Sequence, residues 1–407
     1  MTSTDPGPKT DRYEFRPGAT RRTFLKLLGG LGVAGGVTYL GTRVLGGAGT
    51  AAPTTTPLAT RSSPASTAPA TTGAGSAAPP VFELADFADN VQPGGPPKDG
   101  IPPIDEPRFL AAQEAGFLED GDVVFGLARE GRVVAYPQLV LVWHEIVNDV
   151  FPDGPLSVTY CPLTGSTVAF RGTAPSGEPL TFGTSGNLVN SNLLMYDRQT
   201  DSRWPQILAQ AISGPALDAT LEEIPVAWTT WGRWRQAHPD TEVLSTDTGY
   251  VRSYGSDPYG SYNPLGGYFA PGSPRLFPVM HFDERFDDKD VFVGVKHDPA
   301  RLAVRKERLL AEGAVRTAMG EDPVVLLYDP DLDEGFAFLG RVEGDEVRLS
   351  PGDSPGRYVD ETSGSTWDAF GRAVAGPREG TQLPRLSFYD VMWFAWVAFF
   401  PGTEVLA

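Results

Sequence analysis

The segment YCPLTGSTVAF, residues 160–170, places β-branched and aromatic runs on both sides of a Pro-Leu-Thr-Gly turn. Short runs of this kind between turn residues are typical of β-strands. They recur along the chain at residues 123–125, 132–136, 156–160, 167–170 and 193–196. Helical patterns are fewer, at residues 139–147 and 228–237. The predicted fold class is therefore α+β and strand-rich.

Comparison of the chain with itself predicts an internally duplicated unit. Tyr160-Cys161-Pro162 returns as Tyr328-Asp329-Pro330, and the pair Trp231 and Trp234 returns as Trp393 and Trp396. Order and spacing are kept, so we expect two pseudo-repeats packed as one compact body. The predicted divisions are a lead-in segment (85–114), repeat 1 (115–247), a connection rich in Tyr and Gly (248–282) and a degenerate repeat 2 (283–407).

The connection at 248–282 is long for a loop inside a compact protein, and such loops are usually functional or disordered. Its tyrosines, among them Tyr254, Tyr262 and Tyr268, argue against disorder. We expect it either to fold over a site, where it could also stack on a sugar, or to serve as a packed structural crossover.

Composition bounds the class of protein. The chain has 407 residues, 41% of them hydrophobic and 11% aromatic, which is enough for a sizeable core. The formal net charge is −18. Such an acidic balance argues against a nucleic-acid partner and is typical of a protein kept soluble in strong salt, as in a halophile-like acidic proteome.

The N-terminus carries an export pattern. Arg21-Arg22 and the following Phe24-Leu25-Lys26 precede an apolar, Gly-rich run, which is the twin-arginine arrangement. Residues 1–50 are therefore predicted to be a twin-arginine signal or a membrane anchor, with cleavage left open. Residues 51–84, mostly Ala, Thr, Pro and Ser, are predicted to be a disordered linker. The expected location is extracellular or on the outer face of the cytoplasmic membrane.

Cys161 is the chain's one cysteine, so it cannot form an internal disulfide. An exposed thiol outside the cell would oxidise, so Cys161 is predicted to be buried, bound or used. It is a candidate catalytic nucleophile, and backbone N–H groups of the following turn would stabilise an oxyanion. The alternative is a small buried core residue.

His144 and Glu145 come just before the cysteine-bearing strand, on a predicted helix. A Cys–His pair is a minimal nucleophile and base, and Cys161 with His144 would equally suit Cu or Zn. Asn190 and Asp197 offer an amide and a carboxylate as orienting groups, against the alternative of a polar turn and a structural ion pair. The acidic turn at 329–335 resembles half a calcium loop but lacks the closing Glu, which favours a solvated turn.

The segments HEIVND (144–149), YCPLTGSTVAF (160–170) and NSNLLMYDRQTDSRW (190–204) resemble an uncharacterised family of exported bacterial and archaeal proteins, domain-of-unknown-function family 3179. The likeness covers about residues 85–407. It implies an exported globular module and carries no reaction with it. Many members of that family look to have a second cysteine in this motif, Cys-Pro-Leu-Cys. This chain has Thr164 at that position, so a two-thiolate site is not expected.

Two functions follow from these residues. The first is an enzyme or metal-binding protein with a pocket centred on Cys161 in repeat 1. The second is a cell-surface binding module for a glycan, a protein or a small molecule, in which Cys161 is only structural. A cleft that joins Cys161 to His144 would favour the first. A thiol sealed beneath an aromatic face would favour the second.

Overall fold

The computed structural model describes residues 78–407. The predicted signal (1–50) and the linker up to residue 77 lie outside the described residues. Residues 78–83 form no helix or strand, and the first helix begins at Leu84, the last residue of the predicted linker. Within the described range, no helix is long and apolar enough to span a membrane.

The described part is rich in strands and has few helices, which confirms the predicted strand-rich α+β class. Its helices are α1 (Leu84–Asp89), α2 (Gln138–His144), α3 (Trp231–Ala237), α4 (Lys306–Glu312) and α5 (Trp393–Phe399), with a 3₁₀ turn at Ala112–Glu114. The strands up to residue 267 are β1 (Gln92–Pro93), β2 (Phe109–Ala111), β3 (Val123–Arg129), β4 (Arg132–Pro137), β5 (Ile146–Phe151), β6 (Gly154–Cys161), β7 (Ser166–Arg171), β8 (Phe182–Val189), β9 (Asn192–Asp197), β10 (Arg203–Pro205), β11 (Glu222–Ile224), β12 (Ala227–Thr230), β13 (Glu242–Leu244), β14 (Gly260–Tyr262) and β15 (Leu265–Gly267). The remaining strands are β16 (Val291–His297), β17 (Ala300–Arg305), β18 (Ala314–Met319), β19 (Asp322–Asp329), β20 (Glu334–Leu339), β21 (Arg341–Val342), β22 (Asp345–Glu346), β23 (Leu349–Pro351), β24 (Arg357–Asp360), β25 (Thr366–Asp368), β26 (Ala373–Ala375), β27 (Ser387–Met392) and β28 (Glu404–Leu406).

The predicted strand runs lie within β3, β4, β6, β7 and β9, whereas both helix predictions need correction. Helix α2 ends at His144, because Glu145 takes a left-handed φ of 62° and Ile146 begins β5. Ladder pairing of β5 with β6 overrides the local apolar pattern there. Likewise Trp228 belongs to β12, paired with β3, and α3 begins only at Trp231.

The sheets of the first half (residues 78–247) and of the second half (residues 283–407) follow similar strand orders. One sheet has the order β12-β3-β4-β13-β2, and another has β27-β16-β17-β28. Each sheet contains one parallel pair, which is β4 with β13 in the first and β17 with β28 in the second. The neighbouring pairs are antiparallel. Antiparallel β5-β6-β7 resembles β18-β19-β20 in the same way. The two halves thus share a sheet arrangement.

The hydrophobic core is divided across the halves. Trp393 and Trp396 of α5 belong to the cluster formed mainly by the first half, which includes Cys161. Trp231 and Trp234 of α3 belong to the cluster formed mainly by the second half. Each half therefore contributes a helix to the core of the other, so neither half would keep its core if separated.

Helix α3 packs on β3 through a Trp–Gly contact. A Cβ atom added at Gly126 would lie 2.2 Å from the Trp234 ring, so only a glycine admits the ring at this distance. The indole Nε1 donates to Thr241 Oγ1 at 3.0 Å, which satisfies the one polar atom that the buried ring carries.

Helix α5 packs on β16 in the same manner. A Cβ atom at Gly294 would lie 2.4 Å from the Trp396 ring. Trp396 Nε1 donates to Thr403 Oγ1 at 2.9 Å. The same three residue types therefore hold the Trp helix in each half.

Candidate functional site

Cys161 ends β6 at the turn into β7 and is sealed from solvent, with an exposed fraction of 1%. Its Sγ lies 4.0 Å from the Ser191 carbonyl oxygen, so the structure brings the Asn190–Ser191 turn to the thiol. Tyr268 donates its hydroxyl proton to Leu163 O at 2.6 Å, within the same turn as Cys161. The connection at 248–282 thus folds over this turn.

Lys289 holds Tyr268 of the connection in place. Its Nζ donates to the Tyr268 carbonyl oxygen, and the ammonium lies 3.2 Å from the centre of the Tyr268 ring. Burial lowers the pKa of Lys289 to about 8. Burial also raises the pKa of Tyr268 well above its usual range. Tyr268 is therefore a neutral hydrogen-bond donor that joins the connection to the Cys161 turn.

His144 is fully buried at the end of α2, and both ring nitrogens are engaged. Nδ1 lies 2.7 Å from the Pro102 carbonyl oxygen, which can only accept, so Nδ1 carries the proton and Nε2 accepts from the Tyr254 hydroxyl at 2.7 Å. Burial lowers the pKa of His144 to about 4. The imidazole is neutral near pH 7, and its nitrogens contact Pro102 and Tyr254 rather than the thiol.

Glu145 follows in the left-handed conformation that ends α2. Its side chain is buried, and its carbonyl oxygen accepts from the backbone N–H of Tyr160 at 2.8 Å. That bond joins the end of α2 to β6 one residue before Cys161. Glu145 therefore fixes the spacing between the histidine and the cysteine segments.

Asn190 and Asp197 hold backbone segments together. The Asn190 amide donates to the Ala398 carbonyl oxygen at 2.9 Å, and its side-chain oxygen accepts from Met280 N at 2.8 Å. Asp197 accepts from Trp204 Nε1 at 2.9 Å and from Thr200, which closes the turn after β9. Their predicted role as orienting groups for a reaction stays a prediction.

The predicted Cu or Zn site at Cys161 and His144 gains no support from the geometry. In residues 78–407, no group of three or more His, Cys, Asp or Glu side chains is placed to hold a metal ion. Zinc sites in proteins typically take three or four protein ligands. The Cu or Zn site predicted at Cys161 and His144 therefore stays a prediction. The acidic turn is likewise closed on itself, since Asp329 Oδ1 accepts from Asp331 N and Leu332 N.

A cavity of about 240 Å³ lies next to the Cys161 turn, between the two halves. Gly165 of that turn is part of its wall, and so is Tyr262 of the connection. The apolar part of the wall comes from both halves: Val123, Trp228, Tyr262, Val291 and Met392. Because each half supplies residues to it, the cavity exists only when the halves are packed together.

A buried charge cluster forms one side of this cavity. The Lys306 ammonium bonds to Asp390 Oδ2 and lies 3.6 Å from Glu334 Oε2. The Asp390 and Glu334 side chains are 6% and 3% exposed, and Lys306 is 17% exposed. Asp390 Oδ1 has no hydrogen-bond partner among the described residues. Buried charges are costly unless fully paired, so this cluster is a candidate binding feature.

Sequence reasoning missed this cluster. Lys306 and Asp390 are 84 residues apart and belong to different motifs, so no local spacing connects them. The available signal was a difference between the predicted repeats, because Lys306 stands where the first repeat has Gln138. An ammonium in place of an amide at the start of a helix marks a change of chemistry between corresponding positions of the predicted repeats.

Glu334 should make stability fall as pH rises from about 4.5 to about 8. Burial, and then the negative charge of Asp390, raise its pKa to about 8, against the nearby Lys306 ammonium and two backbone N–H donors. In that window the unfolded chain has lost the proton that the native state keeps. The free energy of unfolding therefore falls through this group as the pH rises across that window.

Glu334→Gln is expected to remove that slope, and urea unfolding of both proteins at several pH values measures it. The lowered pKa of His144 gives the opposite slope below pH 6.5 in both proteins, so the difference between them isolates Glu334. A stability difference that does not vary between pH 5 and 8 would contradict the raised pKa.

Comparison with known proteins identifies a family whose function is unknown. No curated protein matches the chain, and no solved structure does. The family model described as "Protein of unknown function (DUF3179)" matches residues 98–403, which is most of the chain. The chain therefore belongs to the DUF3179 family.

Proposed function

We propose that this chain is an exported small-molecule-binding protein whose ligand occupies the cavity between its two halves. The observation that carries the proposal is the composition of the cavity wall. Aromatic and aliphatic side chains of both halves surround the ion pair of Lys306 and Asp390. Ligand pockets are typically mostly apolar, with few polar groups that orient the ligand.

The geometry favours binding over thiol catalysis. Cys161 is covered by the connection, and the two nitrogens of His144 already bind Pro102 and Tyr254. Cys161 then serves as a packed residue at the base of a turn whose Gly165 borders the cavity. A cavity of about 240 Å³ suits a ligand of roughly ten non-hydrogen atoms, since 150 Å³ holds benzene. This size favours a small molecule over a glycan chain or a protein partner.

We infer that the halves are copies of one unit, as the sequence comparison predicts. Support comes from the similar sheet orders and from the Trp–Gly–Thr arrangement present in each half. If the halves are copies, Gly126→Ala and Gly294→Ala should destabilise the protein to a similar degree, because each methyl group meets an indole ring. A cost at only one of the two positions, measured by urea unfolding, would contradict the inference.

Binding can be tested by closing the cavity. Val291 is 41% exposed and lies on the cavity wall, so Val291→Trp should fill the cavity with little effect on folding. Val359 is similarly exposed at 38%, on β24, away from the cavity, so Val359→Trp is the matched control. A set of fragments of about ten non-hydrogen atoms would be titrated by calorimetry.

The proposal predicts fragments that bind the wild type and Val359→Trp with equal affinity and lose at least tenfold in Val291→Trp. Fragments that bind all three proteins alike would place binding elsewhere and contradict the proposal. A protein that binds none of the fragments would contradict it as well.

The catalytic alternative has its own test, because an activated thiolate would react quickly near neutral pH. We expect Cys161 to resist iodoacetamide in the folded protein and to react in urea, since it is 1% exposed. Mass spectrometry measures the labelling rate. Rapid labelling of the folded protein, slowed by His144→Ala, would instead support a Cys161 and His144 site.

We propose that the chain leaves the cytoplasm by the twin-arginine route. The support is Arg21-Arg22 before an apolar run, in the part of the chain outside the described residues. Lys replacement of both arginines should hold the protein in the cytoplasm, because the export machinery recognises the arginine pair. Fractionation of cells that express both forms tests this, and normal export of the double variant would contradict it.

A further inference from the structure

We propose that the protein has a second ligand site, in which the guanidinium of Arg385 binds the carboxylate of a small molecule with an apolar body. The site is a cavity of about 250 Å³ that Arg385 borders, which we call the Arg385 cavity. Its wall shares no residue with the cavity that Lys306 lines, so the site goes beyond the proposed function. Its support is an apolar wall, a guanidinium without an acidic partner, and a local excess of positive charge.

The wall of the Arg385 cavity is mostly apolar and comes from both halves. The first half contributes Trp234 of α3, and the second half contributes Phe336 and Phe370. The two phenylalanine rings lie 5.1 Å apart between their centres, and Phe370 is 39% exposed, so a partly exposed ring borders the cavity. The volume suits a ligand of roughly ten non-hydrogen atoms, since 150 Å³ holds benzene.

Arg385 supplies the charge. A backbone bridge to Phe338 fixes its segment beside β20, and its guanidinium carbon lies 5.4 Å from the centre of the Phe336 ring. Within residues 78–407 its side chain makes no hydrogen bond or ion pair. Packing around the guanidinium lowers the pKa of Arg385, and no nearby carboxylate opposes that shift. Because the residue is exposed and lines the cavity, a ligand can reach it.

The ionisable groups of the wall favour an anion. In the described part of the chain, Arg385 and His238 are the ionisable residues that line this cavity, and no carboxyl group does. Burial lowers the pKa of His238, so its imidazole is neutral at pH 7. The wall therefore carries one positive charge. A cationic ligand would meet that charge without any carboxylate to offset it.

An adjoining cavity of about 200 Å³ also borders Arg385, and its wall includes two glutamates. These carboxylates belong to ion pairs that are balanced without Arg385, with as many carboxylates as cations. The carboxylates are Asp153, Glu222 and Glu223, and the cations are Arg129, Arg171 and Lys296. The guanidinium of Arg385 therefore stays in excess when both cavities are considered together.

A monocarboxylate matches this arrangement better than other anions do. A guanidinium fork can donate two parallel hydrogen bonds to one carboxylate. Phosphate or sulfate would place further charged oxygens against Trp234 and Phe336, which offer them no donor there, whereas a monocarboxylate has one charged end. The net charge of −18 repels anions at long range. Salt screens exposed charges beyond about 10 Å at 0.1 M, so the guanidinium in contact decides.

Probes of similar size and different charge test the inference. Phenylacetate, phenylacetamide, 2-phenylethylammonium and acetate would be titrated by calorimetry at pH 7. We expect phenylacetate to bind at least about tenfold more tightly than phenylacetamide, because the amide has the same shape without the charge. The ammonium should bind more weakly than the amide. Acetate should bind at least about tenfold more weakly than phenylacetate, because it lacks the apolar body.

Variants at Arg385 locate the site. Arg385→Met keeps a long apolar stem over Phe336 and removes the charge, so phenylacetate should lose at least about tenfold in affinity and match phenylacetamide. Arg385→Lys keeps the charge without the fork and should be intermediate. Arg357 is an exposed arginine on β24 that does not line the cavity, so Arg357→Met is the control for the change in net charge. It should keep the wild-type affinities.

Equal affinities of phenylacetate and phenylacetamide for the wild type would overturn the proposal, and this comparison needs no variant. Unchanged binding of phenylacetate by Arg385→Met would place the carboxylate elsewhere and overturn it as well. Acetate that binds as tightly as phenylacetate would contradict the apolar part of the site. Absence of binding by all four probes would also overturn the proposal. The fragment titrations with Val291→Trp concern the other cavity, so either proposal can fail alone.

Discussion

Trp396→Ala is expected to lower the free energy of unfolding by about 3–5 kcal/mol, as large aromatic truncations in a core do. The ring is fully buried in the core formed mainly by the other half, and its Nε1 bonds to Thr403. Its loss opens a void against Gly294, which has no side chain of its own to fill it. Urea unfolding followed by circular dichroism measures the change.

A double-mutant cycle between Gly294 and Trp396 measures the energetic coupling of these two residues. Gly294→Ala alone should cost about 1–3 kcal/mol, because its methyl group would lie 2.4 Å from the Trp396 ring. In the Trp396→Ala protein the same methyl group enters the void and should cost little or stabilise. Phe282→Ala, at a side chain that is 53% exposed, is the control and should change little. Additive effects of the Gly294 and Trp396 changes would contradict the packing described for α5.

Lys306→Met is the second large effect, and we expect it to cost about 3–5 kcal/mol at pH 7, because removing one partner of a buried ion pair leaves the other uncompensated. Asp390 would keep a buried carboxylate with neither oxygen paired to an ammonium, next to Glu334. A buried carboxylate that has lost its ammonium partner is relieved when it takes up a proton, so the loss should be smaller at pH 4.5 than at pH 7. Unfolding in urea at pH 7 and pH 4.5 measures both values.

The control is the double variant Lys306→Met with Asp390→Leu, in which both charged partners become apolar. Replacing a whole buried pair by apolar residues is often neutral or stabilising. We therefore expect the double variant to recover most of the stability that Lys306→Met loses. A double variant as unstable as Lys306→Met would mean that the methionine fails to pack and that charge is not the cause.

The sequence predicts local elements well where the side-chain pattern and the ladder agree. The run before Cys161 and the run after Gly165 became β6 and β7, since β-branched residues and a turn specify both strands. The helix predicted at 139–147 ran too far, because its last residues pair with β6 and this tertiary pairing outweighs helix propensity. Trp228 similarly joined β12 instead of α3.

The candidate site was harder to predict, because it is made by tertiary packing. Cys161 and His144 were candidates because their residue types are rare in the chain and reactive. The sequence cannot show that both ring nitrogens of His144 are hydrogen-bonded, one to Pro102 and one to Tyr254. Lys306 and Asp390 are common residue types and gain significance only once burial removes water from them. The exchange of Trp helices between the cores has no local signature either.

Crystals of the protein soaked with the fragment set test most directly whether the cavity between the halves is a ligand site. We expect electron density for a bound fragment in the cavity, beside Trp228 and Tyr262. Val291→Trp crystals should show the indole in that place and no fragment. Fragment density only at other surfaces, with the cavity holding water alone, would contradict the account.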